Sequence, residues 1–158
     1  MPGYGVVGPS EGRGLLPWSW AEERLTRSHD YWLATTGSDV GPHVVPVWGI
    51  WRDGAAWFST SPASRKTRNL SADPRAALAT DDPRQPVVVR GRVERVTDLA
   101  DIERFTAGVN EKYESDLPVS FFVDNATFRL PPTWVFSLDE EDFTGTPTRW
   151  VFPERDPG

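Results

Sequence analysis

Between Tyr31 and Phe152 the chain is written as short runs of β-branched and aromatic residues, each soon closed by Gly, Pro or Asp. Such runs make strands, and strands joined by turns rather than by regularly spaced helices pair antiparallel. The runs are Tyr31 to Thr36 (YWLATT), His43 to Trp51 (HVVPVWGIW), Ala55 to Thr60 after an Arg52-Asp53-Gly54 hairpin, Ala76 to Thr80, Val87 to Thr97, Asn125 to Leu130, Thr133 to Leu138 and a last piece from Thr148 to Phe152. In the longest, Val87, Val89, Gly91 and Val93 alternate with Val88, Arg90, Arg92 and Glu94, which buries one face. Pro46 cannot donate to a ladder, so its strand is expected at an edge, at a bulge, or facing a ligand. Helices are expected at three places. Ser19 and Glu22 have capping-box spacing ahead of a helix from Trp20 to about Ser28. A second helix follows the third strand. Asp98 can cap a third, whose Leu99, Ile102, Phe105, Val109 and Tyr113 form one apolar stripe ending before Asp116. This order lacks the strand–helix alternation of a doubly wound sheet. It predicts a mostly β domain over residues 18–158, a small barrel of six or seven mainly antiparallel strands. A Gly- and Pro-rich arm, residues 1–17, precedes it and is loose unless it packs.

The 158 residues include 8 Trp, 8 Phe and 3 Tyr, enough to bury one core. With no Cys and only two His, His29 and His43, disulfides, thiolate metal sites and Cys nucleophiles are excluded and a metal site is not expected. A net charge of −6 denies the chain the global positive field that nucleic acids favour. No run approaches the roughly 20 apolar residues a bilayer requires, and the N-terminus lacks the features of a secretion signal, so a cytoplasmic protein is expected. No Gly-x-Gly-x-x-Gly or Walker sequence appears. No nucleophile, base and orienter stand together either, so no catalytic side chain is assigned. Asp139, Glu140, Glu141 and Asp142 are read as a solvated loop, and His43 as a donor to a backbone carbonyl rather than a base.

One stretch resists a purely structural reading. Ser59 to Leu70 reads STSPASRKTRNL, with Ser61 as a plausible N-cap and Pro62 at the first helical position. At 100° per residue Arg65, Arg68 and Asn69 share one face and Lys66 lies at its border. Residues 64 to 75 carry Arg65, Lys66, Arg68 and Arg75 against Asp73 alone, a local +3 in a −6 protein. Such crowding is unfavourable unless acidic neighbours such as Asp81 and Asp82, or a bound anion, offset it. Hydroxyls from Ser59, Thr60 and Ser64, together with free amides at a helix start, supply the parts of a phosphate cradle.

The order YWLATTG, GPHVVPVWGIW, AAWFSTS, SRKTRNLSADPRAALATDD and VVVRGRVERV, followed by a helix, resembles the pyridoxamine 5′-phosphate oxidase-like flavin and deazaflavin oxidoreductases over about residues 18 to 152. GLLPWSW, HVVPVWG, SRKTRNLSADPR and DFTGTPTRW resemble the small actinobacterial branch that uses the deazaflavin coenzyme F420. The resemblance implies a split β-barrel and a homodimer with a cofactor site at its interface. Ser59, Thr60, Arg65, Lys66 and Arg68 would lie beside the cofactor phosphate, with Asn69 ordering the turn. Val45, Pro46, Val47 and Trp48 would lie along the ring, and Arg149 and Trp150 in the tail would close over the site. The implied activity is transfer of hydride, carried by the cofactor, to a small organic acceptor. FMN is the alternative cofactor, and a carrier of the coenzyme or of haem is the alternative role. Arg90 and Arg92, if they share a surface with Arg65 and Arg68, would favour the carboxylate-bearing deazaflavin tail.

Overall fold

The computed structural model describes residues 5–8, 13–37 and 41–153, so the rest of the expected arm, the tip of the first turn and the last residues of the expected domain lie outside the described residues. Two antiparallel sheets form the halves of a barrel. One has the order β10-β9-β6-β5-β1-β2, where β1 is Tyr31–Gly37, β2 Gly41–Val47, β5 Arg75–Thr80, β6 Val87–Arg92, β9 Pro132–Ser137 and β10 Thr148–Val151. The other has the order β3-β4-β8-β7, from Gly49–Arg52, Ala55–Thr60, Ala126–Leu130 and Glu94–Arg95.

Two expected strands are each divided. HVVPVWGIW breaks at Trp48, where the chain leaves β2 in one sheet and enters β3 in the other. Val87 to Thr97 breaks in the same way at Val93, which is buried and donates its amide to the Pro74 carbonyl at 2.7 Å. A strand whose neighbours curve away into two sheets can serve both only by interrupting its ladder. Pro46 fits the expectation made for it, since β2 is an edge strand paired only to β1. The Asp53-Gly54 turn joins β3 to β4 with φ of 51° and 68°, the paired left-handed conformation of a two-residue hairpin turn.

The register puts Tyr31, Leu33, Leu78, Val89 and Val135 on the inner face of the larger sheet. They meet Ala56, Phe58, Phe128 and Leu130 of the smaller sheet in the main core. A second core lies outside the smaller sheet, where helix α3 (Leu99–Tyr113) lays Ile102, Phe105 and Val109 on Ile50 and Trp57. Strand β4 is therefore covered on both faces. Asp98 caps α3 as its sequence predicts, accepting from the Asp101 amide at 3.0 Å. Leu99 departs from the expected stripe and is exposed at the first position of the helix. Beyond α3 a short helix α4, Val119–Val123, was not expected.

Helix α1 spans Trp18–Arg27, so Ser19 lies inside it and Pro17 stands at the cap. Packing decides the start. Trp18 meets Trp51, Trp150 and Phe152 edge to face, and Glu22 receives the Trp51 indole N–H instead of closing a capping box. The acidic run is only in part a solvated loop, with Glu140 and Glu141 exposed. Asp139 is buried and accepts from the Arg13 guanidinium and the Glu141 amide, and Glu140–Asp142 form a single 3-10 turn. Arg13 and Leu16 anchor the described end of the arm there, on Asp139, Glu141, Asp142 and Thr148. No helix is long and apolar enough to cross a membrane among the described residues.

Candidate functional site

Helix α2 is Arg65–Ala72, starting three residues later than the Ser61 cap predicts. Ser61, Pro62 and Ala63 form a turn, closed by the Ser64 amide on the Ser61 carbonyl at 3.0 Å and by the Thr67 hydroxyl on the same carbonyl at 2.8 Å. Ser64 is the cap and accepts from the Thr67 amide at 3.2 Å. The shift has an electrostatic consequence. Arg65, Lys66 and Arg68 now crowd the start of the helix, where the macrodipole repels cations, and no acidic residue accompanies them in the first turn. Asp81 and Asp82 do not neutralise them. Asp81 is held by Ser28 and Asp82 by the Arg84 amide. Among the described residues Arg65 and Lys66 have no ion pair, while Arg68 turns back onto the Ala63 carbonyl. Asn69 is buried and donates to the Thr35 hydroxyl at 3.0 Å, which fixes α2 on β1.

Opposite Thr35 in the β1–β2 ladder stands His43, whose Nδ1 is buried without a hydrogen-bond partner among the described residues. It does not satisfy a backbone carbonyl through that nitrogen, contrary to expectation. An orphaned buried nitrogen next to the Thr35–Asn69 pair, together with unpaired cations on α2, suits a group that brings acceptor oxygens.

The hydroxyls at the end of β4 border a cavity of about 360 Å³. Ser59, Thr60 and Ser61 line one side with Asn125, and Trp48 with Phe105 and Val109 of α3 line another. Phe121 and Phe122 of α4 close it. Trp48 belongs to the site for a clear reason. Its indole stacks on Tyr113 at 4.2 Å between centroids and 5° between planes. Tyr113 in turn accepts from the Gly49 amide at 2.9 Å and donates to the His29 carbonyl. The Lys112 ammonium donates to the Gly49 carbonyl at 2.7 Å and lies 4.5 Å above the Tyr31 ring. Burial pushes Lys112 down to about 8, against the pull of Asp30 and Asp81. Burial also pushes Tyr113 up to about 12. Residue 49 must be glycine, since a Cβ there would sit 2.5 Å from the Trp57 carbonyl oxygen. The end of α3 thus grips the strand break and sets the Trp48 wall.

The structure brings Trp48, Ser59 and Thr60 to one cavity, with Arg65, Lys66, Arg68 and Asn69 on the helix that follows. The remaining ring candidates divide by strand parity. Val47 is a core residue, Val45 packs partly against the same core, and Pro46 points to the opposite face beside Trp32. Within one protomer Arg149 and Trp150 are not brought to the cavity. β10 is at the far edge of the sheet from β2, Trp150 packs on Trp18, and Arg149 is exposed on the outer face. Arg90 and Arg92 line a separate hollow with Arg75 and Trp134, and neither Arg65 nor Arg68 lines it. Sequence reasoning missed the aromatic wall from α4, although Pro118 before VSFFV and Asn125 after it mark a one-turn helix. No group of His, Asp and Glu able to hold a metal occurs among the described residues.

Two antiparallel sheets, with a cationic helix start beside a pocket, make up a split β-barrel. A match to the pyridoxamine 5′-phosphate oxidase family spans residues 21–142, and the chain belongs to that family. A conserved hypothetical protein of Mycobacterium tuberculosis is 22% identical over 90% of this chain and 92% of its own, with a TM-score of 0.73. An F420 reductase is 29% identical over 72% of this chain and 94% of its own, at 0.60. An FAD-binding protein of Mesorhizobium loti is 24% identical over 76% of this chain and 92% of its own, also at 0.60. No curated protein matches the chain.

Proposed function

We propose that the protein is an F420-dependent oxidoreductase that works as a homodimer and passes hydride to a small organic acceptor. The observation that carries this reading is the unneutralised start of α2. Among the described residues Arg65 and Lys66 stand without acidic partners where the helix itself disfavours them, so a phosphoryl group there removes a standing repulsion. The similarity to an F420 reductase supports the choice of coenzyme. When bound, the deazaflavin supplies the hydride. The chain's own residues have the tasks left over. Arg65 and Lys66 hold the phosphoryl oxygens, Ser59 and Thr60 border them, and Asn69 keeps α2 in register with β1. Trp48 and the rings of α3 and α4 exclude water from the neighbouring cavity. A site of this type needs no acid–base triad, because holding two reactants in position contributes roughly 7 to 11 kcal/mol.

The outer face of the larger sheet supports the dimer. Trp32 and Val44 stand exposed on neighbouring strands there, with Pro46 beside them and Val151 at the other end. Exposed apolar side chains on one sheet face suit an interface. FMN bears a like phosphoryl group and is the second reading, since the α2 start does not distinguish the two.

Titration of the apo protein with F420, FMN, FAD and haem, followed by oxidation of the bound reduced coenzyme with candidate acceptors, tests the proposal. F420 should bind most tightly, and Lys66→Ala should weaken it by about 1 to 3 kcal/mol through loss of a charge-assisted contact. Tightest binding of FMN would transfer the reading to the flavin. Unchanged affinity in Lys66→Ala would refute the anchor, and coenzyme binding without turnover of any acceptor would make the protein a carrier.

A further inference from the structure

The arginine-lined hollow on the outer face of the larger sheet lies where the β6–β9 ladder loses register. Arg90 pairs with Trp134 and Gly91 with Pro132, so Thr133 is the extra residue of a bulge in β9. A bulge bends its strand and re-aims the side chains beside it. A Cβ at Gly91 would run into the Pro131 carbonyl oxygen, so the close approach at this point requires glycine. Arg75, opposite Arg92 in the β5–β6 ladder, completes the walls of a space of about 240 Å³ with Thr133 and Trp134.

Its charges can be accounted for one by one. Arg75 is taken up by Asp73, which accepts from its Nε at 2.9 Å, its Nη2 at 2.6 Å and its amide at 3.1 Å. That pairing pushes the Asp73 carboxyl down to about 2. Arg90 lies over the Trp134 ring, 5.0 Å from its centre. Thr133 gives its hydroxyl proton to the Arg90 carbonyl at 3.2 Å. Among the described residues neither the Arg90 nor the Arg92 guanidinium has an ion pair or a hydrogen bond. Two uncompensated cations thus face one hollow of a protein whose net charge is −6.

The arrangement selects among anions. Arg90 leans toward β9 and Arg92 stands opposite Arg75 on β5, with two strand positions, about 7 Å, between them along β6. A single compact anion satisfies one of them and leaves the other unpaired. Two planar carboxylates on one chain satisfy both, each taking two parallel N–H bonds from a guanidinium fork. The Trp134 indole offers apolar surface to the carbons between them. We infer that this hollow binds a small organic dicarboxylate, with one carboxylate on Arg90 and the other on Arg92. The site is separate from the proposed coenzyme anchor, since no cation of α2 lines it, and the inference stands whether or not the coenzyme reading does.

The test uses adipate, hexanoate, which has the same chain length and one carboxylate, and inorganic phosphate. Each is titrated at low salt into isotope-labelled protein, and its affinity is read by nuclear magnetic resonance from the side-chain N–H signals of Arg90 and Arg92. Adipate should bind there about tenfold more tightly than hexanoate or phosphate, for one added charge-assisted pair, and should move both signals together. Arg90→Gln and Arg92→Gln, both at exposed positions, should each bring adipate down to the affinity of hexanoate, read at the arginine that remains. Arg65→Gln with Lys66→Ala should leave adipate binding at the hollow unchanged. Equal binding of adipate and hexanoate, phosphate bound more tightly than adipate at these signals, native affinity in either folded arginine variant, or no binding of adipate would each overturn the inference. Loss of adipate affinity in Arg65→Gln with Lys66→Ala would move the dicarboxylate to the helix start and overturn it as well.

Discussion

Replacing Lys112 with methionine should abolish a rise in stability that the native protein shows between about pH 8 and pH 9.5. Burial holds the Lys112 ammonium at about 8, whereas a lysine in the unfolded chain titrates near 10.4. Between those values the unfolded chain binds a proton that the folded chain has released, so unfolding becomes harder as pH rises. Carried to completion, a difference of that size corresponds to about 3 kcal/mol. Lys112 is only half-buried, and solvent screening reduces the expected gain to about 1 kcal/mol. Tyr31 and Tyr113 act in the opposite direction. Burial raises both, so their stabilisation is lost only once unfolded tyrosines ionise, near pH 10 and above. Stopping at pH 9.5 keeps the two effects apart. Methionine retains a stem over the Tyr31 ring but leaves the Gly49 carbonyl without the Lys112 donor, a loss that does not change with pH. Urea midpoints at pH 7, 8, 9 and 9.5 measure the slope. A native protein whose midpoint is flat or falls across this window, or a Lys112→Met variant with the native slope, would refute the assignment of a desolvated ammonium at the strand break.

Ser64→Ala should cost about 1 kcal/mol in urea unfolding through loss of the α2 cap, and should weaken coenzyme binding as the cations lose their fixed start. Asn69→Ala should cost about 1 to 3 kcal/mol because it strips a buried bond from Thr35; a change below 0.5 kcal/mol would contradict the account of α2 docking. Gly49→Ala should cost about 3 kcal/mol, since its Cβ meets backbone rather than a side chain that could yield, and near-UV circular dichroism should report loss of the Trp48–Tyr113 stack. Trp32→Arg should convert the proposed dimer to a monomer in light scattering, and a monomeric native protein would remove the shared-interface proposal.

The strands were legible because hydrophobic alternation and turn residues speak locally. Val87 and Val89 are buried, and Asp53-Gly54 turns as its residues dictate. What could not be read was where a strand changes sheets. Nothing in VPVWGIW says that Val47 and Gly49 belong to different sheets, because the break is imposed by Tyr113 and Lys112, more than sixty residues away in the chain. Helix starts failed for a related reason. Ser19 and Ser61 both look like caps, but tertiary packing of Trp18 and a turn closed by Thr67 settled the matter elsewhere. The cationic segment was visible as a charge anomaly, whereas the cavity beside it was not, since its walls come from separate elements, Trp48 at the strand break and Phe121 and Phe122 on α4.

The prolines of β2 also govern how this molecule can meet its neighbours. Pro42 and Pro46 have the same parity, and neither can donate to β1, so the positions of that parity turn their amides outward from the sheet. Only Val44 keeps an N–H along that rim. A passing chain seeking to extend the sheet sideways finds a nearly toothless zipper, which guards against fibre growth while leaving the broad flank free for stacking.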